Sequence, residues 1–389
     1  MRVLFTTWAW PSHLYAMVPL AWACRAAGHE VLIVSQPELA DEMISTGLPS
    51  TTVGDDVDAA GLVRGYVLPS ARSGELTGQA KSTGKGPRAM RMFLAHAESM
   101  VDGLVALARD WKPDLIVHEP TALAGPVAAS AVGVPSVRHL YGTDLLLRAR
   151  GILPELLAPL GERHELTDLE PFGVATVDPT PTSLQVATDY HRIPMRYVPF
   201  NGSGPAVTPL PVRGARPRIC VTWGHTMAKL DPSLFLLPEI VTALGESDVE
   251  VVAAVSSAQH PLVGDVPDNV TVFVDTPVDA LLPGCDLLVG HGGAGTILTT
   301  MRHGLPALLV PRLPDHAGHS GQVRAAGVGE VLDPGDLTAT SLRESVDRVL
   351  AGPATERARA VADEMRAAAP PADVVEQLAE LAAAPLSVG

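Results

Sequence analysis

The sequence is poor in cysteine and basic residues and has no long apolar run. Its three cysteines, Cys24, Cys220 and Cys285, lie far apart without CxxC spacing. This predicts neither a disulfide framework nor a zinc ribbon, and it favours a reducing compartment. No stretch approaches the roughly 20 apolar residues of a membrane span, and Pro11 and His13 come too early for a signal peptide. We expect a cytoplasmic protein without a membrane span.

The charge balance is acidic. Lys and Arg number 28 against 43 Asp and Glu, which gives a net charge of −15. This charge repels a phosphate backbone, and no Lys/Arg-rich run offsets it, so the sequence argues against nucleic acids and anionic membranes as partners. The 47% hydrophobic content excludes a disordered chain. A length of 389 residues predicts at least two domains.

Short β-branched runs alternate with helical patterns in both halves, which predicts an α/β fold with parallel sheets. In the N-terminal half we predict strands at Val3–Thr7, Val31–Ser35, Leu115–His118 and Ser136–His139, and helices at Met17–Ala27, Glu38–Thr46, Pro87–Trp111 and Leu123–Val132. In the C-terminal half we predict strands at Ile219–Trp223, Val249–Ala254, Thr271–Val274, Leu287–Gly290, Ala307–Val310 and Glu330–Leu332. The fold class is thus two doubly wound, Rossmann-like domains that face a cleft.

Two segments break this alternation. Residues 199–217 are dense in Pro and Gly and predict an interdomain linker, with the boundary near Val207. Residues 54–86 are rich in Gly, Ser and Thr and predict a mobile or substrate-covering loop, with Gly74 to Gly86 as its disordered part.

The strongest local signal is the run HGGAGT, from His291 to Thr296, which follows an apolar strand and opens a helix. Glycines let the backbone approach a diphosphate, and a helix N-terminus offers N–H groups and partial positive charge. The alternative is a tight turn that only joins strand to helix. The run is not GxGxxG, and no glycine-rich turn follows the first strand, which argues against a nicotinamide dehydrogenase.

Nine segments are distinctive, and they extend along nearly the whole chain: MRVLFTTWAWPSHLYAMVPLAWACRAAGHEV, KPDLIVHEP, NGSG, TWGHT, PDNV, TPVDALLPGCD, HGGAGT, GLPALLVP and PDHAGHSGQVRAAGVG. In this order they resemble the motifs of bacterial antibiotic glycosyltransferases of family 1. The chain is similar above all to actinobacterial enzymes that attach deoxysugars to enediyne or aromatic polyketide aglycones.

The resemblance implies a GT-B fold with an acceptor-binding domain over 1–206 and a nucleotide-sugar-binding domain over 207–371. A C-terminal helix over 372–389 is expected to pack back on the first domain. The implied partners are an aglycone and a nucleotide sugar, with no metal and no cofactor beyond that co-substrate. The sequence leaves the oligomeric state open between a monomer and a homodimer.

On the acceptor side the resemblance implies that His13, in the loop after the first strand, is the catalytic base of an inverting transfer. A free imidazole has a pKa near 6.5, which suits proton transfer at neutral pH. At the position of Glu119, relatives often carry an Asp that orients this histidine. The Glu119 side chain is one methylene longer than that Asp. The alternative is a histidine that only packs between Trp10 and Tyr15.

On the donor side the resemblance implies that the nucleotide sugar is held by four segments. These are two glycine-containing loops, a short segment that follows a strand, and the start of one helix. These residues are Gly224, His225, Thr226, Thr276, Val278, His291, Gly292, Gly293, Gly295, Thr296, Asp315 and His316. His316 replaces the usual Gln, and Asp315 and His316 also suit an ordinary helix start. A metal cluster of Asp315, His316 and His319 lacks further spaced ligands.

Relatives with uridine donors commonly carry a Glu eight residues after the motif histidine, where it binds the ribose hydroxyls. Thr299 stands there in this chain, which favours a thymidine diphosphate (dTDP) deoxysugar as the donor.

For the acceptor we expect apolar contacts from Trp8, Trp10, Tyr15 and Met92, although core packing explains Met92 equally well. The sequence therefore predicts an inverting transferase of a deoxysugar to a hydrophobic aglycone in antibiotic biosynthesis. Two alternatives stay open: a nucleotide-sugar epimerase on the same fold, and an inactive helper of another transferase. The aglycone, the sugar and the type of bond are not specified.

Overall fold

A computed structural model describes residues 1–67, 88–202, 204 and 210–385. The chain divides into two compact units. The first unit comprises Met1–Pro179, Ala187–Met195 and Ala369–Gly389, and the second comprises Thr180–Val186 and Arg196–Ala368. The predicted disordered part of the 54–86 loop, Gly74 to Gly86, and the predicted boundary at Val207 lie outside the described residues.

The first unit contains a seven-stranded parallel sheet. Its strands are β1 Arg2–Thr6, β2 Glu30–Ser35, β3 Ser50–Thr52, β4 Leu115–His118, β5 Ser136–His139, β6 Ala175–Asp178 and β7 Arg192–Pro194. They are arranged in the order β3-β2-β1-β4-β5-β6-β7. Strand β1 pairs with both β2 and β4, and Thr6 lies opposite Val34 on one side and His118 on the other. The strand order therefore reverses direction between β1 and β4.

Helices cover the sheet of the first unit because each crossover between parallel strands needs a long connection. They are α1 Pro11–Ala26, α2 Ala40–Ser45, α3 Ala59–Val67, α4 Arg88–Trp111, α5 Ala124–Val132 and α6 Leu153–Glu162. Strands β1 and β4 are apolar almost throughout because both of their faces are buried, which is typical of parallel sheets.

The second unit repeats this architecture with a six-stranded parallel sheet. Its strands are β8 Arg218–Thr222, β9 Glu250–Val255, β10 Val270–Val274, β11 Leu287–Gly290, β12 Ala307–Leu309 and β13 Gly329–Val331. The order is β10-β9-β8-β11-β12-β13, so the reversal falls between β8 and β11. The helices are α7 Thr226–Leu230, α8 Leu237–Leu244, α9 Val278–Leu281, α10 Ala294–Arg302, α11 Pro314–Ala325, α12 Ala339–Ala351 and α13 Ala354–Ala367.

The last helix, α14 Pro371–Ala383, belongs to the first unit although it follows the second in sequence. It packs against α1. Its buried residues are Val374, Val375 and Leu378, which recur at the spacing of one helix face.

The predicted α/β class with two doubly wound domains is confirmed, and most predicted strands agree with the structure within one residue. Three expectations about secondary structure were wrong or incomplete. The predicted loop over residues 54–86 contains a helix, α3 Ala59–Val67. Helix α1 begins at Pro11 instead of Met17, because proline has the backbone angle of a helix start and lacks only an N–H that the first turn does not use. Strands β3, β6 and β7 were missed because their sequences, STT, ATVD and RIP, contain no two adjacent residues of the type Val, Ile, Leu or Ala.

Candidate active site

The reversal between β1 and β4 brings two predicted catalytic residues together in the first unit. His13 lies in the first turn of α1, just after β1, and Glu119 follows directly on β4. His13 is thus on a helix and not in a loop, which corrects the sequence expectation. In doubly wound sheets, ligands bind outside the carboxyl ends of the strands at this kind of reversal.

The His13 imidazole faces a buried carboxylate. His13 Nδ1 lies 3.3 Å from Glu119 Oε2, and the Glu119 side chain is fully buried. Thr121 adds two bonds to the same carboxylate: its backbone N–H donates to Oε2 at 2.9 Å, and its hydroxyl donates at 2.8 Å. The Thr121 hydroxyl lies 3.4 Å from His13 Nδ1 and accepts the Trp8 indole N–H at 2.7 Å.

Aromatic rings surround the imidazole on two sides. The Tyr141 ring, after β5, stacks on His13 with 4.0 Å between ring centroids and an interplanar angle of 22°. Trp8 meets His13 edge-on at 5.2 Å. Trp8 also contacts Trp10, Phe93 and His96.

The predicted acceptor residues do not all gather here. Trp8 is 2% exposed and Met92 is 5% exposed, so both are buried, whereas Trp10 is half-buried. The Tyr15 hydroxyl donates to Glu42 on α2 at 2.6 Å, and burial raises the Tyr15 pKa. Of the four, Trp8 and Trp10 lie in the cluster around His13, and the Tyr15 hydroxyl lies at α2.

In the second unit, the reversal between β8 and β11 brings together the loop at Gly224 and the run from His291. Helix α10 starts at Ala294 after the N-cap Gly293, and no side chain caps its first turn and no acidic residue lies in it. Its leading N–H groups and helix dipole therefore suit an anion. Gly292, Gly295 and Thr296 lie in or next to this turn, with the last two half-buried.

His291 is enclosed by two glycines. At Gly224, whose φ is +59°, an added Cβ would lie 2.7 Å from His291 Cε1, and a Cβ at Gly293 would clash with His291 Nε2. A larger residue at either place would displace the imidazole. The side chain of Gln259 donates to Gly224 O and holds that loop in place.

A second imidazole, from α11, packs against the first. His316 meets His291 edge to face with 4.7 Å between ring centroids. Burial lowers the His316 pKa to about 3. Burial, followed by the nearby His316, also holds the His291 pKa well below its ordinary value. Both rings are therefore neutral near neutral pH, while the neighbouring Asp315 is exposed.

Thr299, on α10, is fully buried and its hydroxyl is surrounded by partners. It donates to Gly295 O at 2.7 Å and lies 3.0 Å from the Tyr197 hydroxyl. The Asn201 side-chain amide N–H donates to it at 3.4 Å, and Asn201 Oδ1 accepts the Asp279 N–H at 3.2 Å. Asn201 thus joins α10 to α9, directly after the strip Thr276–Val278.

The remaining donor-side residues lie near these loops in sequence and structure. Thr276 and Val278 are half-buried between β10 and α9, and His225 is exposed at the N-cap of α7. Thr226 begins α7, and its side chain lies outside the described part of the structure. Among the described side chains, no group of three His, Cys, Asp or Glu could hold a metal ion. In the same part of the chain, no helix has the length and apolar character of a membrane span.

Comparison with known proteins assigns the chain to a family. The family model described as erythromycin biosynthesis protein CIII-like, N-terminal domain, matches residues 22–224, and the corresponding C-terminal model matches 238–381. The chain belongs to this CIII-like family.

Relatives with this architecture are glycosyltransferases. The chain is 35% identical to 3-alpha-mycarosylerythronolide B desosaminyl transferase of Saccharopolyspora erythraea, over 98% of this chain and 99% of the relative. It is 36% identical to aclacinomycin-T 2-deoxy-L-fucose transferase of Streptomyces galilaeus, over 98% of this chain and 96% of the relative. The structure of glycosyltransferase VinC in complex with dTDP is 35% identical, with a TM-score of 0.79, over 98% of this chain and 99% of that chain.

These findings confirm that the protein is a GT-B glycosyltransferase of the CIII-like family. They support the resemblance to actinobacterial antibiotic deoxysugar transferases, while the likeness to enediyne enzymes stays a prediction. The roles of individual site residues also stay predictions.

Sequence reasoning missed four residues that contact predicted site residues, two in each unit. Thr121 follows Glu119 by two positions, a spacing at which a side chain often accepts a backbone N–H, so a local signal existed. Tyr141, after β5, had a weaker signal, because polar residues at the ends of parallel strands gather at one edge. Tyr197 and Asn201 lie about a hundred residues before their partner Thr299, and no local pattern pointed to them.

The buried imidazoles predict acid sensitivity. Because the His316 pKa is about 3 in the folded chain, the unfolded chain, with a pKa near 6.5, binds more protons between these values. The contribution of neutral His316 to the free energy of unfolding should therefore be fully present above about pH 6.5 and decrease as the pH falls towards the pKa of the folded chain. We expect His316→Gln to make the slope of unfolding free energy against pH shallower, by up to about 1.4 kcal/mol per pH unit. Urea unfolding between about pH 7 and 4.5 tests this; parallel slopes for the two proteins would contradict it.

Proposed function

We propose that the protein transfers a deoxyhexose, with inversion, from a dTDP donor to a hydrophobic polyketide aglycone. The observation that carries this proposal is the pair of His13 and Glu119 at the reversal of the first sheet, 3.3 Å apart. The names of the relatives support the substrate classes, since they include desosaminyl and 2-deoxy-L-fucose transferases. The dTDP complex of VinC supports the nucleotide.

His13 acts as the general base in this proposal. A carboxylate only accepts hydrogen bonds, so Glu119 requires the proton on His13 Nδ1 and leaves Nε2 free to take a proton from the aglycone. As the sugar is transferred, His13 becomes an imidazolium. The buried carboxylate and the stacked face of Tyr141 both favour that cation.

The donor diphosphate binds at the N-terminus of α10. The uncapped N–H groups of that turn, together with the Thr296 hydroxyl and the His291 imidazole, stabilise negative charge on the departing diphosphate. Gly224, Gly292, Gly293 and Gly295 allow close approach of the backbone. Neutral imidazoles act here as hydrogen-bond donors and not as counter-ions.

The other donor residues hold the nucleoside and the sugar. In this proposal the backbone of Thr276–Val278 binds the pyrimidine edge, and Asp315 binds sugar hydroxyls with His316 beside it. His225 and Thr226 extend the diphosphate contacts, and Trp10, which packs against the buried Trp8, forms part of the apolar acceptor surface.

Removal of the base should stop transfer but spare the donor site. We expect His13→Ala to lower kcat by about 10²–10⁴-fold, because general-base assistance is lost, while dTDP affinity stays unchanged. The measurement is transfer by a donor and aglycone pair found by screening dTDP-deoxyhexoses against polyketide aglycones. The control is His191→Ala, which removes an exposed histidine of the same unit. A kcat of His13→Ala close to wild type would contradict the role of His13.

Calorimetric titration without added metal tests the nucleotide. We expect dTDP to bind about tenfold more tightly than UDP, because Thr299 has no free hydrogen-bonding capacity for a ribose 2′-hydroxyl. Deoxyuridine diphosphate separates the contribution of the thymine methyl group from that of the missing hydroxyl. Tighter binding of UDP would contradict the dTDP assignment, and binding of neither nucleotide would favour the inactive-helper alternative.

Asn201 should contribute to binding of the nucleoside but not of the phosphates. It joins α10 to α9, the helix at the end of the Thr276–Val278 segment. We expect Asn201→Ala to weaken dTDP binding by about fivefold through loss of two hydrogen bonds, and to leave the affinity for inorganic pyrophosphate unchanged. Gln322→Ala, which removes an amide from α11 of the same unit, is the control. Equal weakening of both ligands would argue against a role in holding the nucleoside strip.

A further inference from the structure

The hydrogen bonds around Glu119 have only one possible direction. The Trp8 indole N–H can only donate, and it donates to the Thr121 hydroxyl oxygen at 2.7 Å. The Glu119 carboxylate can only accept. The Thr121 hydroxyl therefore receives the bond from Trp8 and points its own hydrogen at Glu119, whose oxygens at 2.8 Å are closer than His13 Nδ1 at 3.4 Å.

The Glu119 carboxylate lies between Thr121, which donates to it, and the His13 imidazole. Thr121 holds it through two donors, its backbone N–H and its hydroxyl. His13 Nδ1 lies against the same Oε2 atom that the Thr121 backbone N–H holds. Thr121 and Trp8 are 3% and 2% exposed, so water does not compete for these bonds.

Because the glutamate side chain is long, its carboxylate needs a restraint, which Thr121 provides. A glutamate has one more rotatable bond than an aspartate, and an unrestrained carboxylate would sample several orientations. The bonds from Thr121 fold the Glu119 side chain back over its own turn, within reach of His13. The contact of 3.3 Å between His13 and Glu119 depends on this restraint.

We propose that Thr121, itself held by Trp8, is a positioning residue that fixes the Glu119 carboxylate against His13 and thereby sets the tautomer of the catalytic base. The inference rests on the proposed function of His13 and Glu119. It assigns Trp8 a role beneath the imidazole, in place of direct contact with the aglycone. Neither residue touches the reacting atoms.

Thr121→Val tests the hydroxyl with little change of shape. We expect kcat to fall about tenfold with KM for donor and aglycone unchanged, because one bond to a charged group is lost. Thr121→Ser keeps the hydroxyl and should restore most of the rate. Trp8→Phe keeps an aromatic ring but removes the N–H, and it should cause a smaller loss in the same direction.

The tautomer of His13 is the readout that a merely structural role would not move. In ¹⁵N spectra of the labelled imidazole, wild type and Thr121→Ser should show the Nδ1–H form. Thr121→Val should shift towards the Nε2–H form that free imidazole side chains favour. Thr46→Val is the control, since it removes another buried hydroxyl of the same unit, one that donates to Met43 O at 2.6 Å.

Two outcomes separate this inference from the proposed function. Full activity and an unchanged tautomer in Thr121→Val, while His13→Ala is inactive, would overturn the role of Thr121 alone. Full activity of both His13→Ala and Glu119→Gln would overturn the proposed function and this inference with it. A similar loss of activity in Thr121→Ser and Thr121→Val would also overturn the role of Thr121, because the missing hydroxyl would then not be the cause of that loss.

Discussion

The candidate sites of the two units each depend on one constraint, the pairing of a single parallel strand with a neighbour on each side. In the first unit β1 pairs with β2 and β4, and in the second β8 pairs with β9 and β11. Loops that leave the carboxyl ends of β1 and β4 must therefore start side by side, although His13 and Glu119 are more than a hundred residues apart. The same geometry places Gly224 against His291.

The two units treat buried polar groups in opposite ways. In the first unit Thr121 donates two hydrogen bonds to the buried Glu119 carboxylate, and the His13 imidazole lies 3.3 Å from it. In the second unit burial keeps His291 and His316 neutral, and the positive end of α10 supplies the attraction for an anion. The first arrangement favours the appearance of a cation on His13, and the second favours the departure of an anion, as group transfer requires.

Structural features that depend on local sequence patterns could be predicted from the sequence. The strand before HGGAGT and the helix after it were predicted because glycine, a preceding apolar run and a following helical period all occur within twenty residues. Helix α1 was predicted to begin at Met17, although a proline such as Pro11 is typical of a first helical turn. The partners Tyr141, Tyr197 and Asn201 could not be derived, since their positions depend on which strands are adjacent and on side-chain packing. Thr121 was within reach of a local rule, yet its link to Trp8 exists only in three dimensions.

Helix α14 has a consequence for how such proteins recombine. It is encoded at the end of the chain but packs on α1, the helix that carries His13. A single crossover between two related genes near codon 200 would bring in a foreign α14 together with the foreign second unit. The imported residues at Val374, Val375 and Leu378 would then have to fit an α1 with which they had not evolved. An exchange that keeps the first unit intact needs a second crossover near codon 369.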